Sequence, residues 1–488
     1  MRRRLLLAAT TALAGCSMAP DYQPPATPAA AAYKAAVGQE TQGVAGWSAA
    51  TPADGAPRGP WWQAFGDPVL DDIQARAEAA SPTIAAAVAR YDQAVATADR
   101  AGAEILPTVS AGADISRERL SAGRPLSQGN SARYTDRSLG GSLDWEIDLW
   151  GRLRDAARAG RAEAVASDAD LASARLSLHS AIADLYFQLR GFDRETELLR
   201  QTVDAFARAA DLTNTRHDGG IASGLDTTRA RAQLSDARAQ LSVVALNRAN
   251  AEHALAVLVG ETPSAFTIAP AIPELTPMAI PTGAPAELLQ RRPDIAAAER
   301  RMAAANARIG VAKAAWFPSL TLGLTGGWQT TNGDILTTPN SFWGLGPLSA
   351  LATIFDGGRR NADIRRSRAE YDETAAQYRG SVLDAFREVE DGLAAARHLT
   401  AAERDQTDAA RAATRTGELA LTRYRDGASD YLEVVVAQTA ALSARRAELL
   451  LRTQRLQASV ALIRALGGGF DASSLRLAAT DRPGGGAN

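Results

Sequence analysis

The chain has 488 residues, with 53 Lys and Arg against 55 Asp and Glu and a formal charge of −2. That near balance argues against a nucleic-acid binder, whose domain would carry a basic excess. The single cysteine, Cys16, excludes an intrachain disulfide, and 4 His with 4 Met supply a soft-metal site poorly, so neither a metal nor another cofactor is expected.

In chain order, Arg2, Arg3 and Arg4 precede an apolar run from Leu5 to Ala14. The run is far shorter than the ~20 residues a helix needs to span a bilayer, and it reads as a secretory signal peptide. It ends in Leu13-Ala14-Gly15-Cys16, which resembles a bacterial lipobox, so Cys16 is the expected site of lipidation. Ser17 follows, where Asp would hint at inner-membrane retention. Residues 17–60 are rich in Ala, Pro and Gly without periodicity and are expected to form a tether with little structure of its own.

The body is a repeat. Thr215-Arg216-His217-Asp218-Gly219-Gly220 followed by Leu225-Asp226 aligns with Thr422-Arg423-Tyr424-Arg425-Asp426-Gly427 followed by Leu432-Glu433 at an offset of 207, and Gly260 lands on Gly467. Pro107 after Ile105-Leu106 matches Pro318 after Trp316-Phe317 at an offset of 211, so the hairpin between these landmarks is about four residues shorter in the second copy.

Proline is absent from 126 to 262 and from 348 to 482, and apolar residues there keep helical spacing. Leu178, Ile182, Leu185, Leu189, Phe192, Leu199, Val203 and Phe206 form a heptad seam, which demands a partner helix. A helix over 151–214 would run roughly 96 Å at ~1.5 Å per residue, about three times a ~30 Å hydrocarbon core. Arg and Asp recur along it, so it is expected to stand in water as a coiled-coil strut.

Ahead of each long helix the period changes to two. Leu139, Gly141, Leu143, Trp145, Ile147 and Leu149 alternate with Ser138, Gly140, Ser142, Asp144, Glu146 and Asp148. Val109, Ala111, Ala113 and Ile115 give a second strand, and Leu320, Leu322 and Leu324 with Trp328 a third. A fourth falls in 342–355, interrupted by Gly344, Gly346 and Pro347. Of 8 Trp, five (Trp145, Trp150, Trp316, Trp328 and Trp343) fall in or at the ends of these strands and none in the long helices. Alternating strands with interfacial aromatics are the mark of an outer-membrane barrel; a soluble half-buried sheet is the bland alternative.

Four strands cannot close such a barrel. An open edge in hydrocarbon leaves backbone groups unpaired at several kcal/mol each, and closed barrels start at about eight strands. A homo-oligomer is therefore expected, with three copies giving about twelve strands around a wet lumen. The expected organisation is a signal peptide over 1–15, a lipidated tether over 16–60 and a first repeat over 61–262, with its hairpin at about 107–150 and helix pair at 151–262. A connector follows over 263–292, then a second repeat over 293–467, with its hairpin at about 318–356 and helix pair at 358–467, and a flexible tail over 468–488.

Five motifs in order, Trp61-Trp62-Gln63-Ala64-Phe65-Gly66-Asp67-Pro68, Trp145-Glu146-Ile147-Asp148-Leu149-Trp150-Gly151-Arg152, Arg292-Pro293-Asp294-Ile295 with Ala298-Glu299-Arg300, Ala303-Ala304-Ala305-Asn306-Ala307-Arg308-Ile309-Gly310, and Phe355-Asp356-Gly357-Gly358-Arg359, carry a family likeness over roughly 16–467. The chain resembles the outer-membrane efflux lipoproteins of the TolC-like outer membrane factor family. The resemblance implies a mainly α fold with a small β part: a duplicated unit of helix, β-hairpin and long helix pair. It further implies a homotrimer whose twelve-stranded outer-membrane barrel continues into a long periplasmic α-helical barrel. It also implies the partners, a periplasmic adaptor protein, an inner-membrane transporter of the resistance-nodulation-division type and outer-membrane lipid, in a Gram-negative cell envelope.

By the same resemblance, the turns at Gly219-Gly220 and Gly427 form the periplasmic end of the duct. Candidate tip residues are His217, Gly220, Asp226, Tyr424, Gly427, Asp430, Leu432, Glu433 and Val436. Asp226, Asp430 and Glu433, tripled around an axis, would make a ring of like charge, or else they are solvated tip residues; Tyr424 would be a packing or hydrogen-bonding latch. Many family members have Asp where Val436 stands before Ala437-Gln438, so Leu432 and Val436 are the alternative, a hydrophobic constriction that closes by dewetting.

An enzyme is not expected: the sequence has no nucleophile motif or phosphate loop, and His179, His217, His253 and His398 are scattered singly along helices. A structural coiled coil or adhesin would not need the paired hairpins. The expected function is passive, gated export of small molecules, with protein export in a type I secretion system as the alternative within the same class.

Overall fold

The computed structural model describes residues 17–25, 60–123, 131–277, 292–331 and 333–468. A short 3-10 turn, Trp61–Phe65, leads into α1 (Pro68–Ala80) and α2 (Pro82–Ala103), then the hairpin β1 (Thr108–Arg119) and β2 (Arg133–Glu146). The first helix pair is α3 (Arg152–Asp218) and α4 (Gly224–Val259). The second half repeats the order with α5 (Pro293–Ala314), β3 (Ser319–Thr330), β4 (Ser341–Leu351), α6 (Arg359–Arg425) and α7 (Tyr431–Ala465). Equivalent elements match in length: α3 and α6 have 67 residues each, and α2 and α5 have 22. Pro82 and Pro293 open α2 and α5, where the missing N–H costs nothing.

The chain divides into two compact units. The first comprises Met1–Ala26, Arg90–Asp168 and Ala297–Arg379; the second comprises the remaining segments. The first unit holds an antiparallel sheet in the order β1-β2-β3-β4. Residues directly opposite in an antiparallel pair share a face. Val109 opposes Leu143 and Leu143 opposes Leu324, while Leu139 opposes Trp328. The apolar residues therefore gather on one face, as the period of two predicts. Asp114, Ser138 and Gln329 share the other.

The strand anticipated as far as Leu149 ends at Glu146. Asp148 stops it: its carboxylate accepts from the Arg154 backbone N–H at 3.0 Å, satisfying a free donor in the first turn of α3. At the other end of α3 the helix runs four residues past the expected 214, to Asp218. The doubtful fourth strand is real but bulged, because Gly346 and Pro347 together oppose Gly323 between the pairs Leu322–Leu348 and Leu324–Leu345. Gly346 has φ 114, open only to glycine, and Pro347 has no N–H to give a ladder. Where the repeats meet, Gly140 opposes Gly327 and Gly141 opposes Gly326. A Cβ on Gly140 would lie 2.9 Å from the Gly326 carbonyl oxygen, and one on Gly327 would overlap the Leu139 carbonyl.

The described start of the expected tether is not loose. Residues 17–25 have no regular secondary structure, yet Ser17 Oγ donates to Asp155 at 2.7 Å, Tyr22 Oη to Glu299 at 2.6 Å, and Asn306 Nδ2 to the Pro20 carbonyl at 2.8 Å. A Cβ at Gly310 would collide with Ala19 and the Asp155 carboxylate, so glycine leaves the groove this segment fills. Two family-like motifs thereby acquire a structural reason. Cys16 and the tail from 469 lie outside the described residues.

In the second unit the heptad seam of α3 is the core: Leu178, Ile182, Leu189, Leu199 and Phe206 are buried, and Leu185, Phe192 and Val203 are half-buried. Phe65, Leu70 and Ile73 pack against it from the N-terminal side, and Leu456, Val460 and Ile463 from α7. The expected connector contributes Phe266, Ile268 and Leu275. Asp67 caps α1 through the Val69 N–H at 2.9 Å and accepts from Tyr186 Oη at 2.5 Å. Buried Arg190 donates to Tyr186 Oη at 2.9 Å, to Asp193 at 2.9 Å and to the Ala269 carbonyl at 2.8 Å. Buried Arg190 and Asp193 thus pair with each other, the condition under which burying charge is tolerable. No described helix is long and apolar enough to cross a membrane.

Candidate functional site

The sequence-predicted tip residues come together in the second unit, where α3 turns into α4 and α6 into α7. Glycine makes both turns: Gly220 has φ 74 and Gly427 φ 76. Each following helix is capped. Ser223 Oγ accepts from the Asp226 N–H at 3.2 Å, and the Asp226 carboxylate accepts from the Ser223 N–H at 3.2 Å, a reciprocal capping box. Asp430 caps α7 by accepting from the Glu433 N–H at 3.1 Å. Glu433 pairs with Arg423 at 2.8 Å across its own turn. The three candidate carboxylates are thus engaged in stabilising the turns within one chain. His217 lies against its turn, Nδ1 2.9 Å from the Ala222 carbonyl.

Between the two tips lies a small apolar cluster of Ala209, Ala210, Ala230, Tyr424, Tyr431 and Val434. The Tyr424 and Tyr431 rings meet edge to face, centroids 5.3 Å apart. The Tyr424 hydroxyl is buried with no hydrogen-bond partner among the described residues, so this residue holds by packing and by its main chain. Arg216 supplies the hydrogen bond, donating to the Tyr424 carbonyl at 2.5 Å with its guanidinium 4.7 Å above the ring centre. Gln233 Nε2 reaches the Val435 carbonyl at 3.3 Å, and Tyr431 Oη donates to Gln233 Oε1 at 3.4 Å. Burial pushes the Tyr431 phenol up to about 12, so it remains a neutral donor. Leu432 and Val436 are exposed, as are Ile221 and Leu225 of the other tip.

Sequence reading missed Arg216, Tyr431 and Gln233. The repeat alignment placed Arg216 opposite Arg423, but the two do different work: Arg423 closes back on its own turn and Arg216 crosses to the other repeat.

The five tryptophans expected at a membrane interface divide by position. Trp328 and Trp343 stand exposed in β3 and β4. The others mark the junction of sheet and helix: Trp145 Nε1 donates to the Ile105 carbonyl at 3.0 Å, and Trp150 Nε1 to the Pro318 carbonyl at 2.8 Å. Trp150 stacks on Phe317 at 4.7 Å, and the Arg360 guanidinium lies 4.4 Å over the Trp316 ring.

A duplicated hairpin with one apolar face, joined to a duplicated pair of very long helices that close in clasped turns, defines the class as an outer-membrane channel subunit. The chain belongs to the outer membrane efflux protein family, whose match covers residues 74–261 and 284–468. It is 36% identical over 434 residues to the pyoverdine export outer membrane protein OpmQ of Pseudomonas aeruginosa, covering 86% of this chain and 90% of that one. To the toluene efflux pump outer membrane protein TtgF of Pseudomonas putida it is 32% identical over 477 residues, covering 96% and 97%. Its fold matches the solved outer-membrane channel OprN with a TM-score of 0.84 at 29% identity, covering 93% of this chain and 99% of that one. The protein is accordingly an outer-membrane component of an efflux system that extends into the periplasm.

Proposed function

We propose that three copies of the chain assemble into one passive, gated duct that carries small molecules across the periplasm and outer membrane. An adaptor protein and a transporter of the resistance-nodulation-division type supply the energy. The observation that carries this reading is the sheet, which has one apolar face and two open edges, β1 and β4. In lipid those edges need partners.

The duplication supplies the template for pairing them. Thr108 opposes Asp144 as Ser319 opposes Leu351, so β4 stands in the second repeat where β2 stands in the first. The pairing of β2 with β3 inside the chain is then the pattern for β4 with β1 of the next copy. Leu143 opposite Leu324 translates into Ala350 opposite Ala113 of that copy, and Gly141 opposite Gly326 into Leu348 opposite Ile115, so apolar meets apolar in the half of the strands nearer the helices. Relatives named for the export of pyoverdine and the efflux of toluene support the small-molecule reading.

At the tips, Leu432 and Val436 are the candidate constriction, since Asp226, Asp430 and Glu433 are engaged in caps and an ion pair. Substituting Ala113→Cys and Ala350→Cys together tests the assembly. Oxidation should give a covalent ladder ending at three copies, whereas Ala111→Cys with Ala350→Cys should not. A protein that purifies as a folded monomer overturns the reading. Deleting the gene should raise intracellular accumulation of a small hydrophobic dye; unchanged accumulation with a retained secreted protein would favour protein export.

A further inference from the structure

Charge in the sheet is segregated by face. β3 and β4 contain no charged residue, so every sheet charge lies on β1 and β2. Within that hairpin Arg119 opposes Arg133, Arg117 opposes Thr135 and Arg137 opposes Ile115, all on the face that carries Ala113 and Leu139. The acids take the other face: Asp114, Glu118, Asp136, Asp144 and Glu146 alternate with the apolar set, and Glu118 and Asp136 find neutral partners there in Tyr134 at 2.7 Å and Gln329 at 2.8 Å.

The four arginines are exposed, and among the described residues none is ion-paired. Like charges directly opposite in a sheet repel, so the Arg119–Arg133 pair costs stability unless an anion bridges it. The quartet begins one step beyond the Leu139–Trp328 pair, at the end of the hairpin away from the helices. That is where an apolar belt with its aromatic rim gives way to headgroups.

We infer that Arg117, Arg119, Arg133 and Arg137 form a binding site for a phosphate-bearing lipid headgroup in the outer leaflet of the membrane. The inference rests on the reading above that the apolar face meets lipid. A guanidinium presents paired N–H donors that match phosphate oxygens, and two opposed guanidiniums can grip one phosphate from both strands. Lipid acyl chains would continue down the apolar face past Ala113 and Leu139. The site would anchor the first hairpin at a fixed depth.

The test uses the full-length protein purified in mild detergent, with native mass spectrometry to count bound lipid. Wild type should retain bis-phosphorylated lipid A about tenfold better than its dephosphorylated form, the scale expected when interfacial arginines meet anionic headgroups. R119Q/R133Q should lose that preference while keeping its heat-resistant oligomer. In lipid-free detergent R119Q should be no less heat-stable than wild type, since one of two opposed charges is gone. Adding the bis-phosphorylated lipid should then raise the melting temperature of wild type more than that of the variant.

Equal retention of both lipids by a wild-type protein whose cysteine cross-links still stop at three copies would overturn this inference alone. Displacement by an equal concentration of inorganic phosphate would also overturn it, making this a free-phosphate site. If R119Q/R133Q leaves lipid retention unchanged but shifts the cation-to-anion permeability ratio in planar bilayers, the arginines line the lumen, and both this site and the lipid-facing assignment fall.

Discussion

Arg216 and Tyr424 join the two helix tips twice: the guanidinium donates to the Tyr424 carbonyl at 2.5 Å and lies 4.7 Å over the ring of the same residue. A charged hydrogen bond of this kind contributes about 1.5–3 kcal/mol, and a partly exposed cation–π contact ~0.5–1 kcal/mol. The tips of one chain are thus held by a contact that a modest force could break.

Arg216→Ala should therefore loosen the tips without unfolding the protein. The expected outcome is a larger or more frequently open conductance in planar bilayers, with Arg216→Lys intermediate because it keeps the charge but loses the planar fork. Conductance identical to wild type in both variants would show that the clasp does not restrain opening at the tips.

His179 predicts a pH dependence. Its imidazole is buried under the Trp62 ring, 4.2 Å between centroids, with Nδ1 2.6 Å from Gln74 Oε1 and Nε2 3.2 Å from Glu78. Burial holds its pKa below the ordinary histidine value, outweighing the upward pull of Glu78. The unfolded chain thus takes up this proton more readily than the folded one. Stability is full above the ordinary value of about 6.5 and is lost as pH falls from there towards the folded pKa. His179→Gln should flatten that slope in thermal unfolding followed between about pH 7 and pH 5. A slope as steep as wild type would assign it to other groups.

Gly327→Ala should strike the junction of the repeats. The new Cβ would overlap the Leu139 backbone carbonyl, and backbone cannot swing aside as a side chain can. The cost should reach ~1–3 kcal/mol or more, as for other overpacked sites, and show as a lowered melting temperature of the purified protein. Gly112→Ala, a strand glycine with open space around it, is the control and should be tolerated.

Tyr22→Phe should free the segment that follows Cys16. The lost bond to Glu299 is charge-assisted and worth about 1.5–3 kcal/mol at most, less where solvent reaches it. Limited proteolysis should cut residues 17–25 faster in the variant, while the body of the protein resists as before. Equal rates would mean that Ser17, Pro20 and the Gly310 groove hold the segment unaided.

Much of this architecture was legible because it is written in short-range periods. Alternation over a dozen residues marks β2, a seven-residue rhythm marks α3, and the offsets of 211 and 207 recur in the boundaries of α2 and α5 and of α3 and α6. Each signal depends on neighbours within a few turns of chain, so sequence alone determined the element types, the duplication and the class of protein. Two signals misled for the same local reason: the alternation through Leu149 continued past the point where Asp148 starts a helix, and an Ala- and Pro-rich composition hid a segment held by Glu299, Asn306 and Asp155.

Only the tertiary structure decided which partners those elements take. Arg216 and Tyr424 are 208 residues apart, and nothing in either tip distinguishes an arginine that crosses to the other repeat from Arg423, which folds back on Glu433. The register of β1 on β2 set Arg119 against Arg133, and a slip of one residue would have scattered the arginines among the acids. Partner choice is a matter of packing across long loops, where the energy depends on which surfaces meet and leaves no periodic trace in the chain.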